Sequence, residues 1–141
     1  MYLIDTDVLS EVRKRQRANP GVRAFLDQVK QSEAQLFVSV LSIGEIRRGV
    51  VRIRHRGDDE QASLLERWLN ELLANYEDHI LPFDIDCAQM WGKLRVPHPE
   101  NPLDKQIAAT AHIHGLTVVT GNPAHFRSTS VPWLDPFSAR R

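Results

Sequence analysis

Tyr2-Leu3-Ile4-Asp5-Thr6-Asp7-Val8-Leu9 opens the chain and decides its architecture. Residues 2–4 are apolar throughout, which predicts a short central strand. Asp5 ends the run, and Thr6 or Asp7 can cap a helix that starts at once through Val8, Leu9 and Val12. A strand that turns directly into a helix is the first step of an alternating α/β pattern.

The pattern continues outward from there. Asn19-Pro20 is a second helix start, and Val22, Phe25, Leu26 and Val29 give that helix an apolar face. Leu36-Phe37-Val38 reads as a second strand. Ser39 or Ser42 can cap the next helix, in which Ile43, Ile46, Val50 and Ile53 hold helical spacing. Residues 55–62 are polar and form a break. Leu64, Leu65, Trp68, Leu69, Leu72, Leu73 and Tyr76 make the strongest amphipathic signal. Ile80 to Phe83 reads as a strand. Asp84 or Asp86 caps a helix with Ala88, Trp91 and Leu94 inward. Pro102 opens another, with Leu103, Ile107 and Ala111 on its face and Gly115 at its end. Thr117 to Thr120 is a strand, Gly121-Asn122 a turn, and Val131 to Phe137 a last edge strand. Strands alternating with helices predict a three-layer α/β/α fold, with a central, mostly parallel sheet of four to five strands.

A chain of 141 residues fits one domain, 1–141, with a core of its own. Apolar content is 42% and charged content 26%, as in ordinary globular proteins. The formal net charge is zero, so no global field draws the chain to nucleic acid or membrane. The charge is clustered, however. Arg13, Lys14, Arg15 and Arg17 form one basic group, and Arg47, Arg48, Arg52, Arg54 and Arg56 another. Fourteen of the 18 basic residues are Arg, the side chain suited to bidentate phosphate contacts. A solvated face and a polyanion-binding surface both account for them. One cysteine, Cys87, excludes a disulfide framework and suits a small core position. No run is long and apolar enough to span a membrane, and no signal-peptide pattern opens the chain, so a cytoplasmic location is expected.

Three carboxylates stand in apolar surroundings: Asp5, Glu45 in Leu41-Ser-Ile-Gly-Glu-Ile46, and Asp104 before Ile107-Ala-Ala. Each has an ordinary explanation, as a helix cap, an exposed helix residue and a first-turn acid respectively. Their joint placement points elsewhere. In parallel α/β sheets ligands bind beyond the carboxyl ends of the strands. Asp5 lies there, as do Thr120 and Asn122, and Asp104 opens the helix that precedes their strand. Carboxylates gathered in one volume repel unless a hard divalent cation, Mg2+ or Mn2+, joins them. Such an ion with waters retained suits phosphodiester hydrolysis.

Met1-Tyr-Leu-Ile-Asp-Thr-Asp-Val-Leu-Ser-Glu11 resembles the start of PIN-domain ribonucleases of the VapC toxin type. Ser39-Val-Leu-Ser-Ile-Gly-Glu-Ile-Arg-Arg-Gly-Val50, Pro102-Leu-Asp-Lys-Gln-Ile-Ala-Ala-Thr-Ala111, His114-Gly-Leu-Thr-Val-Val-Thr-Gly-Asn122 and Val131-Pro-Trp-Leu-Asp-Pro-Phe137 continue the likeness in order. The resemblance implies a PIN-like fold and a metal-dependent endoribonuclease acting on tRNA or rRNA. It also implies a homodimer and a VapB-like antitoxin that occupies the active-site groove. Asp5, Glu45 and Asp104 match the family's metal-binding acids, Asn122 its fourth site position, and Thr120 its strand-end hydroxyl. Three positions depart. Asp7 replaces the usual Asn and reads as a helix cap or an added charge. Gly121 stands where Arg is frequent, which removes one means of holding phosphate. His125 stands where many relatives have Asp, which, with Asn122, leaves the fourth carboxylate missing and favours one tightly held metal over two. Two rival readings stand beside this one. One is a degenerate PIN domain that binds RNA or antitoxin without cutting. The other is a haloacid-dehalogenase-like phosphatase, suggested by Asp5-Thr-Asp7, although residues 117–126 lack that family's late acids.

Overall fold

Residues 1–138 are described in the computed structural model, so the last three residues of the expected 1–141 domain lie outside the description. In chain order the elements are β1 (Tyr2–Ile4), α1 (Thr6–Val12), α2 (Pro20–Ser32), β2 (Leu36–Ser39), α3 (Val40–His55) and α4 (Asp59–Asn75). There follow β3 (Ile80–Leu81), α5 (Ile85–Leu94), α6 (Pro102–His114), β4 (Thr117–Val119) and β5 (Trp133–Leu134). The sheet runs β3-β2-β1-β4-β5, with every neighbouring pair parallel. The expected sheet therefore has five strands among the described residues and is parallel throughout. β3 and β5 are shorter than the sequence suggests. Pro82 ends the first, and Pro132 and Pro136 bracket the second, because proline cannot donate to a ladder.

Alternation along the strands builds the layers. Ile4, with Val38 and Val119 beside it in register, faces one side. There it packs with Val8 and Leu9 of α1, Val22, Phe25 and Val29 of α2, Ile46 of α3 and Leu69 and Leu72 of α4. Leu3 and Val118 face the other side and meet Ile107, Ala108 and Ala111 of α6, with Phe126 and Val131. No helix among the described residues is long and apolar enough to cross a membrane.

Several local expectations need correction. Asp5, rather than Thr6 or Asp7, caps α1, because the helix begins at Thr6 and the extended cap position falls one residue earlier. Ser39 caps α3, accepting from Leu41 N at 3.0 Å, while Ser42 is buried inside the helix and accepts from the Thr6 hydroxyl at 2.8 Å. Asp84 caps α5, and the phase this sets turns Cys87 inward and leaves Ala88 exposed. Leu103 lines a cleft rather than the core. Lys105, unremarked in the sequence, is fully buried. Its Nζ donates to the Glu100 carbonyl and lies 3.9 Å from the Glu100 carboxylate, tying the loop before α6 to the helix.

Candidate active site at the carboxyl edge of the sheet

After β1 the chain builds β2 and β3 to one side, then crosses to build β4 and β5 on the other. The crevice beyond the ends of β1 and β4 is therefore the topological switch point, where α/β sheets bind ligands. Asp5 follows β1 and Thr120 follows β4. Their backbones join through Asp5 N donating to Val119 O at 2.9 Å. The Asp5 carboxylate accepts from Thr6 N and from the Thr120 hydroxyl, each at 2.8 Å. Thr120 is fully buried, and its hydroxyl oxygen accepts from Asn122 N at 3.0 Å. Asp5 is only 5% exposed. That burial lifts its pKa from 3.8 to about 6, with further upward pushes from Asp7 and Asp104 and opposing pulls from the Thr120 and Thr6 hydrogen bonds.

Asp7 is the residue that the sequence undervalues. It is not the cap of α1. Its carboxylate accepts from Val8 N at 2.8 Å, and then reaches across to Gly121 N at 2.8 Å and to the Asn122 amide at 3.3 Å. Burial first, and Asp104 and Asp135 after the backbone hydrogen bonds have pulled it down, hold its carboxyl above the ordinary range. Gly121 is required by the same approach. A Cβ there would stand 2.6 Å from the Asp7 carboxylate and 2.7 Å from the Phe137 ring. Asp7 and Gly121, two of the three positions that depart from the expected pattern, thus meet in one place with Asn122. No signal along the chain could reveal it, because the partners lie more than a hundred positions apart.

Asp104 sits in the first turn of α6, and its Oδ2 lies 2.6 Å from His125 Nδ1. His125, which stands where an acid is expected, is thus an immediate neighbour of Asp104. Glu45 stands in the second turn of α3. A cleft of about 300 Å³ is lined by Asp5, Thr6, Asp7, Glu45, Leu103, Asp104, Ile107 and Asn122. Of the five expected site residues, four share this lining, and Thr120 lies behind Asp5. A larger groove of about 500 Å³, beside α2, carries a single acid, Asp27, and none of this chemistry.

Among the described residues, no three His, Cys, Asp or Glu side chains converge into a ready-made metal cage. The donor set instead fits a hard cation that keeps much of its water, which needs only one or two carboxylates directly. Four acids line the cleft, and only Asp104 has an imidazole beside it.

The fold and the cleft together define a parallel α/β domain with an acidic site at its switch point. The family model for the PIN domain matches residues 2–131, and the chain belongs to that family. It is similar to toxin FitB of Neisseria gonorrhoeae, 32% identical with 96% of this chain and 100% of the relative covered. It is also similar to VapC ribonuclease Y4jK of Sinorhizobium fredii, 26% identical over 97% of this chain and 98% of that one. The solved structure of FitAB bound to an IR36 DNA fragment superposes with a TM-score of 0.84 at 28% identity, covering 100% of this chain and 99% of that one.

Proposed function

We propose that the chain is an endoribonuclease toxin, dependent on Mg2+ or Mn2+ and restrained by a VapB-like antitoxin. The observation that carries this reading is the convergence of Asp5, Glu45 and Asp104 on one cleft at the switch point. These three acids would hold the ion, one or two directly and the rest through its retained waters. When bound, it would polarise a phosphoryl oxygen and acidify a water. The chain's own residues prepare the site. Thr120 fixes the rotamer of Asp5, and His125 holds Asp104 from outside. Asp7 locks the Gly121-Asn122 turn against α1. Glu45 lines the same cleft, and its carboxylate oxygens, without a hydrogen-bond or ion-pair partner among the described residues, are left to water or ion. The reaction adds water to phosphorus and breaks the bond to the departing ribose oxygen.

The similarity to a protein named toxin FitB and to a VapC ribonuclease supports the toxin and ribonuclease parts of this reading. The solved FitAB assembly supports an antitoxin partner for a homologue of this shape. The reading includes a single 1–141 domain, a homodimer, a cytoplasmic location, and tRNA or rRNA as substrate. The phosphatase alternative is disfavoured by the segment around the end of β4, where residues 117–126 supply none of the late acids that reading needs.

Expression without an antitoxin tests the proposal in cells. Wild type is expected to arrest growth with cleavage of tRNA or rRNA, and Asp5→Ala to leave growth and RNA intact. Growth arrest by both forms equally would overturn the site assignment. Absence of arrest and of RNA cleavage in wild type would overturn the function.

A further inference from the structure

The basic group on α3 divides in two. Arg47 and Arg54 both reach Glu66 of α4, at 2.6 and 3.1 Å, and these pairs fasten the two helices together. Arg48, Arg52 and Arg56 are exposed and make no ion pair among the described residues. They stand four residues apart, so successive like charges face one another along the helix and repel. Arg52 and Arg56 lie at the C-terminal end of α3, where its dipole favours positive charge, and a polyanion laid along the row would relieve the repulsion that remains.

The placement is also directional. Positions 45, 49, 52 and 56 are spaced by four, three and four, which puts them within ~40° of one line on the helix surface at ~100° per residue. That line starts at Glu45 in the acidic cleft. It passes Gly49, which has no side chain, and continues to Arg52 and Arg56, about 10 and 16 Å further along the axis. Gly49, Arg52, Ile53 and Arg56 line a concavity of about 230 Å³. A stripe that leads from an acidic cleft into a trough edged by free guanidinium groups suits a chain of phosphates with one member in the cleft.

We propose that Arg52 and Arg56 on this stripe, flanked by Arg48 one turn before Arg52, form the track along which single-stranded RNA leaves the cleft, held by its phosphates rather than its bases. This rests on the ribonuclease reading above. Arginine forks match phosphate oxygens bidentately, and contacts of this kind position a strand without reading its sequence.

The test uses the full chain carrying Asp5→Asn, to stop cleavage, with labelled oligouridine and oligoadenine as probes in a salt series. Adding Arg48→Gln, Arg52→Gln and Arg56→Gln is expected to weaken binding of both probes alike. The slope of log affinity against log salt should fall by about 2, at ~0.7 for each single-strand phosphate deprived of its arginine. In the otherwise wild-type chain the same triple should raise KM more than it lowers kcat. A charge-matched control, Arg13→Gln with Arg17→Gln and Arg67→Gln, should leave the slope unchanged. An unchanged slope and KM in the α3 triple, with RNA still bound, would overturn the track and leave the ribonuclease reading standing. Loss of binding to an acidic peptide (polyglutamate) but not to RNA would overturn it in favour of a protein partner. Failure of the Asp5→Asn parent to bind RNA, with no cleavage by wild type, would overturn both.

Discussion

Asp5 is buried at a cost to the fold. Burial lifts its carboxyl from 3.8 to about 6, a difference that corresponds to about 3 kcal/mol at ~1.4 kcal/mol per pH unit. The sign follows from which state holds the proton. Above about 6 the carboxylate is ionised in both folded and unfolded chains, and the folded state bears the full cost of a buried charge. As pH falls from 6 towards 3.8 the folded chain takes up its proton first, and folding is favoured. Asp7 is displaced in the same direction and adds to the trend. The melting temperature of the metal-free protein should therefore rise between pH 7 and pH 5. Asp5→Asn should raise it at pH 7 and flatten the rise, since an amide keeps the Thr6 bond without the charge. Thermal denaturation across that pH range checks both. A wild-type protein that loses stability steadily below pH 7, or an Asp5→Asn variant less stable than wild type at pH 7, would contradict the electrostatic account of this residue.

Between elements, the site depends on a clamp that joins the start of α1 to the end of β4. Asp7 accepts from Gly121 N and from the Asn122 amide, so the pair works because one partner is an acid and the other a donor. Asn122→Asp places a second carboxylate beside Asp7 and should lower both melting temperature and RNA cleavage. Adding Asp7→Asn to it reverses the polarity of the pair and should restore part of each. A double-mutant cycle read on melting temperature and on cleavage measures this, and additive effects would mean that the two side chains do not act together. The clamp also marks the limit of what the sequence discloses. Caps at Asn19, Ser39 and Asp84 and the glycine at 115 are local signals, and the elements they bound are found where the pattern places them. The strand ends at Pro82 and Pro132 are harder to see, because apolar residues flank each proline. Asp7 with Gly121, Asp104 with His125 and Lys105 with the Glu100 loop are tertiary pairings, and periodicity carries no trace of them. Asp5 and Glu45 stand out because each acid interrupts an apolar stretch, Asp104 because it opens the helix before β4, and the three share one lining.

Across the whole molecule, a neutral chain segregates its charge. Acids collect in the cleft at the switch point, and arginines that make no ion pair among the described residues run away from it along α3. The parallel sheet makes that segregation possible, because the order β3-β2-β1-β4-β5 brings residues 5 and 120 side by side and leaves the rim to the helices that follow. The central claim is that these acids cut RNA with the help of a divalent ion. Its most direct test is cleavage of a labelled RNA by the purified chain, with Mg2+ or Mn2+ and with a chelator, in wild type, Asp5→Asn and Asp104→Asn. Wild type is expected to cleave, the chelator to abolish cleavage, and either variant to reduce it by about 100-fold or more, at least as much as loss of an outer partner of a metal ligand costs. Cleavage that survives the chelator, or that both variants retain at the wild-type rate, would contradict it.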